Sequence, residues 1–135
     1  MNIQETADSI IRLEFSIGGY WGNSYHLNLT PDGIELQTDS AIDIPPHKRR
    51  PIHHTPTRFK RLIRRLFRHY GIYEWEQKYT EPHIMDGTHW QLTLHRSEPL
   101  PPLSFSGSNA YPPSFRRLLR LLTPYLHPGN CGERI

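Results

Sequence analysis

D-G-T-H-W-Q-L-T-L at residues 86–94 and S-F-S-G-S-N-A-Y-P-P at residues 104–113 decide the fold of this 135-residue chain. In the first piece Trp90, Leu92 and Leu94 alternate with Gln91, Thr93 and His95, the period-two pattern of a strand with one buried face. Asp86 and Gly87 ahead of it are turn residues. S-E-P-L-P-P bends the chain back, and Leu103 and Phe105 begin the next strand. Beyond the second piece, Phe115, Leu118, Leu119 and Leu122 mark one side of a helix and Arg116, Arg117 and Arg120 the other. Ser114 or the prolines start that helix, and Pro124 is expected to stop it.

The N-terminal part supplies more of the same sheet. Ile11, Leu13, Phe15 and Ile17 alternate with Arg12, Glu14 and Ser16, so the odd positions are expected inward. After a glycine-rich turn, Tyr25, Leu27 and Leu29 alternate again. T-P-D-G at 30–33 is a tight turn, and Ile34 and Leu36 open a third strand of an antiparallel meander. Residues 39–57, with Pro45, Pro46, Pro51 and Pro56, read as a surface loop. Thr55 or Thr57 caps a helix in which Phe59, Leu62, Ile63, Leu66, Phe67 and Tyr70 form one stripe, and Gly71 ends it. The segment I-Y-E-W-E-Q-K-Y that follows fits either a helical turn or an extended arm.

The order βββ-α-ββ-α, with one apolar face per element, implies a two-layer α+β domain: an antiparallel sheet carrying both helices on one face. One domain over residues 1–126 and a flexible tail over 127–135 are expected. Trp90 is a core anchor whose indole N–H needs an acceptor. Gly107 marks a bulge or tight bend. Asn109 and Tyr111 can hydrogen-bond backbone at the start of the helix, and Pro112 or Pro113 fixes its first turn.

The Asp-Gly turn, Trp strand and G-S-N-A-Y-P segment resemble a pattern found in small bacterial proteins of uncharacterised function. Y-E-W-E-Q-K-Y looks like the aromatic linker of those proteins, so the likeness spans roughly residues 70–123. His89 stands where that pattern would have glutamine. The resemblance implies a shared fold and carries no activity, so it assigns a role to no residue.

Charge is distributed unevenly. Residues 1–45 hold seven acidic residues and one arginine, whereas residues 46–70 hold nine Lys/Arg and no acid. Those nine are Lys48, Arg49, Arg50, Arg58, Lys60, Arg61, Arg64, Arg65 and Arg68. Such a block favours an acidic protein or nucleic acid as partner. No apolar run reaches the eighteen residues of a membrane span. The first residues lack signal-peptide features, and the lone Cys131 suits a free thiol, so a cytoplasmic location is expected.

The residues spell no catalytic constellation. There is no G-x-S-x-G elbow, and S-G-S-N-A lacks the lysine of a phosphate loop. Pairing Asp86 with Glu74 or Glu76, or grouping Asp86, His89 and Asn109, would assemble a site that the spacing itself does not signal. Among nine histidines none forms an H-x-x-x-H pair, and His26 and His95 would meet on the wet face without a carboxylate beside them, so no metal or cofactor is expected. The reading that remains is a non-enzymatic binding protein, immunity- or inhibitor-like by analogy of size. It would dock through Lys48, Arg49, Arg50, Lys60, Arg61, Arg64, Arg65 and Arg68, with Arg116, Arg117 and Arg120 adding to that surface. Non-sequence-specific nucleic-acid binding is the alternative, and an open meander strand allows a homodimer.

Overall fold

The computed structural model describes residues 2–19, 24–39, 54–81 and 87–126. The elements are α1 (Ile3–Asp8), β1 (Ile10–Gly19), β2 (Ser24–Thr30), β3 (Gly33–Asp39), α2 (Pro56–Arg68), a 3₁₀ turn (Ile72–Glu74), β4 (Lys78–Thr80), β5 (Thr88–Arg96), β6 (Leu103–Ser108) and α3 (Phe115–Leu126). The six strands form one sheet in the order β3-β2-β1-β5-β6-β4. The fold class is the expected α+β, but the sheet is mixed rather than wholly antiparallel: five strands are antiparallel and β4 is added in parallel beside β6. The Trp strand β5 pairs on both sides, with β1 and β6, so the stretch that decides the fold runs through the sheet's interior.

Register explains the core. Leu13 faces Leu94, Phe15 faces Leu92, and Leu92 in turn faces Phe105, so apolar rows cross the sheet on one face. The stripes Phe59, Leu62, Ile63, Leu66, Phe67 of α2 and Phe115, Leu118, Leu122 of α3 enter that same core. Phe115 lies 4.7 Å from Trp90 and 6.4 Å from Phe15, ring centre to ring centre. Each fully buried side chain of this size contributes roughly 1.5–3 kcal/mol. His54 joins the two helices: its ring lies edge-on to Phe59 and Tyr125, and its Nε2 donates to the Thr30 carbonyl at 2.7 Å.

Four local expectations change. Ile10, not Ile11, is buried, because β1 carries a bulge between Ile10 and Arg12 that turns Ile11 out to 49 % exposure. A short helix, α1, precedes β1, capped by the Asn2 side chain. The ambiguous segment after Gly71 is both things in turn, a 3₁₀ turn and then β4. Pro124 does not stop α3. The helix continues to Leu126 and sinks Tyr125 and Leu126 into the core, while the Thr123 hydroxyl donates to the Leu119 carbonyl. The expected loop loses Asp39 to β3 and Pro56 and Thr57 to α2. Its residues 40–53, like the expected tail over 127–135, lie outside the described residues.

Thr55 is the cap of α2, its hydroxyl accepting from the Arg58 N–H at 3.1 Å, with Pro56 in the first turn. Thr55→Ala is expected to cost about 1 kcal/mol, read as a lower denaturant midpoint at unchanged slope. Among the described residues no helix is long and apolar enough to cross a membrane.

A candidate docking face on the basic helix

Because α2 spends every large apolar side chain on one stripe, its cations are forced to the opposite side. Thr57, Lys60, Arg61, Arg64, Arg65, Arg68 and His69 line a shallow groove of about 380 Å³ there. Lysines and arginines four apart on a helix repel by roughly 0.2–0.5 kcal/mol a pair. The helix has no acid of its own in its first turn to offset this. Among the described residues, the counter-charge comes from α1: Asp8 lies 3.8 Å from Arg64. Beside it, Arg68 donates to the Gln4 side-chain carbonyl, and Gln4 donates to Asp8 at 3.0 Å. Two of the predicted contact residues are thus tied to the chain itself, whereas Lys60, Arg61 and Arg65 are exposed on the groove.

The other residues of the expected surface fall elsewhere. Lys48, Arg49 and Arg50 lie outside the described residues. Arg116, Arg117 and Arg120 are exposed on α3, and none of them lines the groove of α2. His69 and the α1 pair Gln4 and Asp8 belong to the face but carried no sequence signal, since α1 is too short to show a period.

The motif residues are used internally. Trp90 donates its indole N–H to the Ala110 carbonyl at 2.9 Å. Asn109, at φ 55°, accepts the Thr88 N–H on its Oδ1, and its own N–H donates to the Thr88 carbonyl, both at 2.9 Å. Gly87 packs against Asn109 so closely that a Cβ there would sit 1.8 Å from Oδ1. Tyr111 packs against Phe115 with ring centres 4.9 Å apart and planes tilted by 40°, and Pro112 is buried. Asp86 lies outside the described residues, so its grouping with His89 and Asn109, or with Glu74 or Glu76, is not formed by described side chains.

The opposite face of the sheet corrects one expectation. His26 and His95 do have a carboxylate between them, because β1 separates their strands and presents Glu14. Glu14 Oε2 lies 3.0 Å from His26 Nε2, and Oε1 lies 2.9 Å from His95 Nε2. Arg12 adds a guanidinium 2.9 Å from His95 Nε2 and 3.8 Å from Glu14, so two imidazoles and a guanidinium already crowd this carboxylate. Among the described residues no group of three ligands suited to a metal ion occurs.

The hydrogen bond from His95, aided by the charges of His26, His95 and Arg12, holds the Glu14 carboxyl below its ordinary range against the opposing effect of burial. A carboxylate whose folded pKa is depressed adds stability above its unfolded pKa and loses it as pH falls through the folded value. The stability advantage of wild type over Glu14→Gln should therefore be full near neutrality and shrink below about pH 4.5. Urea unfolding of both proteins across that window measures it.

Comparison with protein-family models, with curated proteins and with solved structures finds no match to the chain.

Proposed function

We propose that the domain is a non-enzymatic binding protein that docks on an acidic protein partner through the exposed face of α2. One observation carries this reading: Lys60, Arg61, Arg64, Arg65 and Arg68 line a single groove on a helix whose apolar side is fully engaged in the core. Among the described residues Asp8 and Gln4 relieve only Arg64 and Arg68, and a helix face that accumulates like charge gains when a partner supplies the remaining counter-charge. The contacts of Arg64 with Asp8 and of Arg68 with Gln4 indicate the chemistry it accepts, a carboxylate and an amide oxygen. Action in the cytoplasm, in the manner of an immunity or inhibitor protein, belongs to the same proposal and rests on size and architecture. So does kinship with the small bacterial proteins that residues 70–123 resemble.

The same cations favour a second reading, contact with a phosphate backbone, since arginine pairs with phosphate as readily as with carboxylate. Affinity capture of the tagged protein from its native cells, with and without nuclease, separates the two. Capture of a partner that survives nuclease supports the acidic-protein reading. Capture abolished by nuclease transfers the face to nucleic acid, and a gel shift with steep salt dependence would then follow. Absence of capture and of any shift at low salt removes both. Self-association is a separate proposal resting on a different surface, the open edge of the sheet.

A further inference from the structure

The two edges of the sheet are built differently. β4 ends one side with three residues, including exposed Lys78, paired in parallel with β6. Among the described residues β3 ends the other with seven residues, G-I-E-L-Q-T-D, in unbroken register with β2. Natural sheets protect their edges with short strands, lysine, proline or bulges. The β4 edge uses the first two, whereas β3 is long and regular, has neither lysine nor proline, and sets only the charge of Glu35 on its exposed face. Glu35, Gln37 and Thr38 are exposed along it, and Ile34 is a large apolar side chain left 37 % exposed.

The backbone of β3 is set up for a further strand. The two-residue turn of Pro31 and Asp32 makes Thr30 and Gly33 the closing hydrogen-bonded pair of the hairpin. Antiparallel alternation then turns the backbone N–H and C=O of Glu35 and Gln37 toward β2, and those of Ile34, Leu36 and Thr38 outward.

We propose that β3 pairs antiparallel with β3 of a second copy of this chain, about a two-fold axis through Leu36, so that the two sheets become one. In that register Leu36 meets its own equivalent, and Ile34 meets the second copy's Thr38. All these positions point their backbone groups across the new seam and exchange both N–H···O bonds. On the polar face Glu35 meets the second copy's Gln37, a carboxylate opposite an amide donor. Sliding the pairing one repeat toward the turn brings Glu35 against Glu35, so like-charge repulsion favours the Leu36-centred register over that one. On the helix side the seam covers exposed Ile34 and also Leu36, which packs against the core. This surface is distinct from the groove of α2, and purified protein alone tests it.

Sedimentation equilibrium over a roughly hundredfold concentration range should show the mass rising from 15.9 kDa toward twice that value. Thr38→Pro removes an outward N–H that β2 does not use, so the domain should fold and remain monomeric. Gln37→Glu sets carboxylates opposite one another on both sides of the axis and should raise the dissociation constant about tenfold. Adding Glu35→Lys to Gln37→Glu converts repulsion to attraction and should restore it. Circular dichroism of each variant checks the fold. A mass that stays at 15.9 kDa throughout, or a dimer indifferent to Thr38→Pro and Gln37→Glu, overturns the proposal.

Discussion

Replacing Gly107 with alanine is expected to cost about 2–4 kcal/mol and lower the melting temperature by roughly 10 °C. Trp90 faces Gly107 across the β5–β6 ladder, and its indole passes directly over the glycine to reach the Ala110 carbonyl. A Cβ at 107 would lie 2.3 Å from Nε1, 2.6 Å from Cε2 and 2.5 Å from the Ala110 oxygen. Two of those atoms form a hydrogen bond, and the third belongs to a ring wedged against Phe115 and Trp75. None is the loose end of a flexible side chain, so the methyl group must displace the indole, break its bond, or bend β6. Gly33→Ala is the control. The nearest atom to a Cβ there is Thr30 Oγ1 at 3.8 Å, so that substitution should be close to neutral. Trp90→Phe removes the indole nitrogen and its ring, and in the Gly107→Ala background it should cost less than the two single changes added together. Simple additivity between them, or a Gly107→Ala protein as stable as wild type, would show that the indole does not press on residue 107. The G-S-N-A-Y-P segment would then need a reason other than packing.

What could be read from the chain follows from how much side-chain pattern each element carries. β5 and α2 announce themselves because three or more apolar residues repeat at one period, and their strand and helix appear where the period places them. β4 carries a single inward residue, Tyr79, and three residues hold no measurable alternation. α1 buries only Ala7, and its one turn and a half is too short for a stripe. The exchange of Ile10 for Ile11 has a different cause. Both are isoleucine, so period-two reading alone cannot tell which is inward once a bulge inserts a residue. Pro124 misleads because a proline in the last turn sacrifices one backbone bond, and burial of Tyr125 and Leu126 outweighs that loss. Of the Glu14 cluster the meeting of His26 and His95 could be read, but not the carboxylate that stands between them. Its place depends on β1 lying between β2 and β5, which is a matter of strand order and is not encoded in any one strand.

Converting Lys60, Arg61 and Arg65 together to glutamate is expected to weaken partner binding by roughly a thousandfold while leaving the domain folded. The choice of three follows from the contacts of α1. Reversal at Arg64 or Arg68 would turn Asp8 and Gln4 from partners into repelling or unmatched neighbours, so lost binding there could simply report lost packing of α1 on α2. The chosen three have no such tie among the described residues. Their substitution ends the repulsion between positions 60 and 64 while leaving 61 and 65 a like-charged pair of opposite sign. Lys60→Glu stands four residues before Arg64 and Arg65→Glu three before Arg68, both attractive spacings. The new acid at 65, near the helix C-terminus, opposes the dipole by a few tenths of a kcal/mol, so net stability should hardly move. Binding is different, because each reversal deletes one attraction to an acidic surface and installs one repulsion, and about 4 kcal/mol over three sites corresponds to the stated loss. Calorimetric melting of the triple variant and titration against the captured partner are the paired measurements. The same reversal at Arg116, Arg117 and Arg120 should leave affinity within a few-fold, since those side chains stand off the groove. If instead the α3 set abolishes binding and the α2 set does not, the docking face belongs to the other helix, and the cations of α2 are a solvated surface held in check by Asp8.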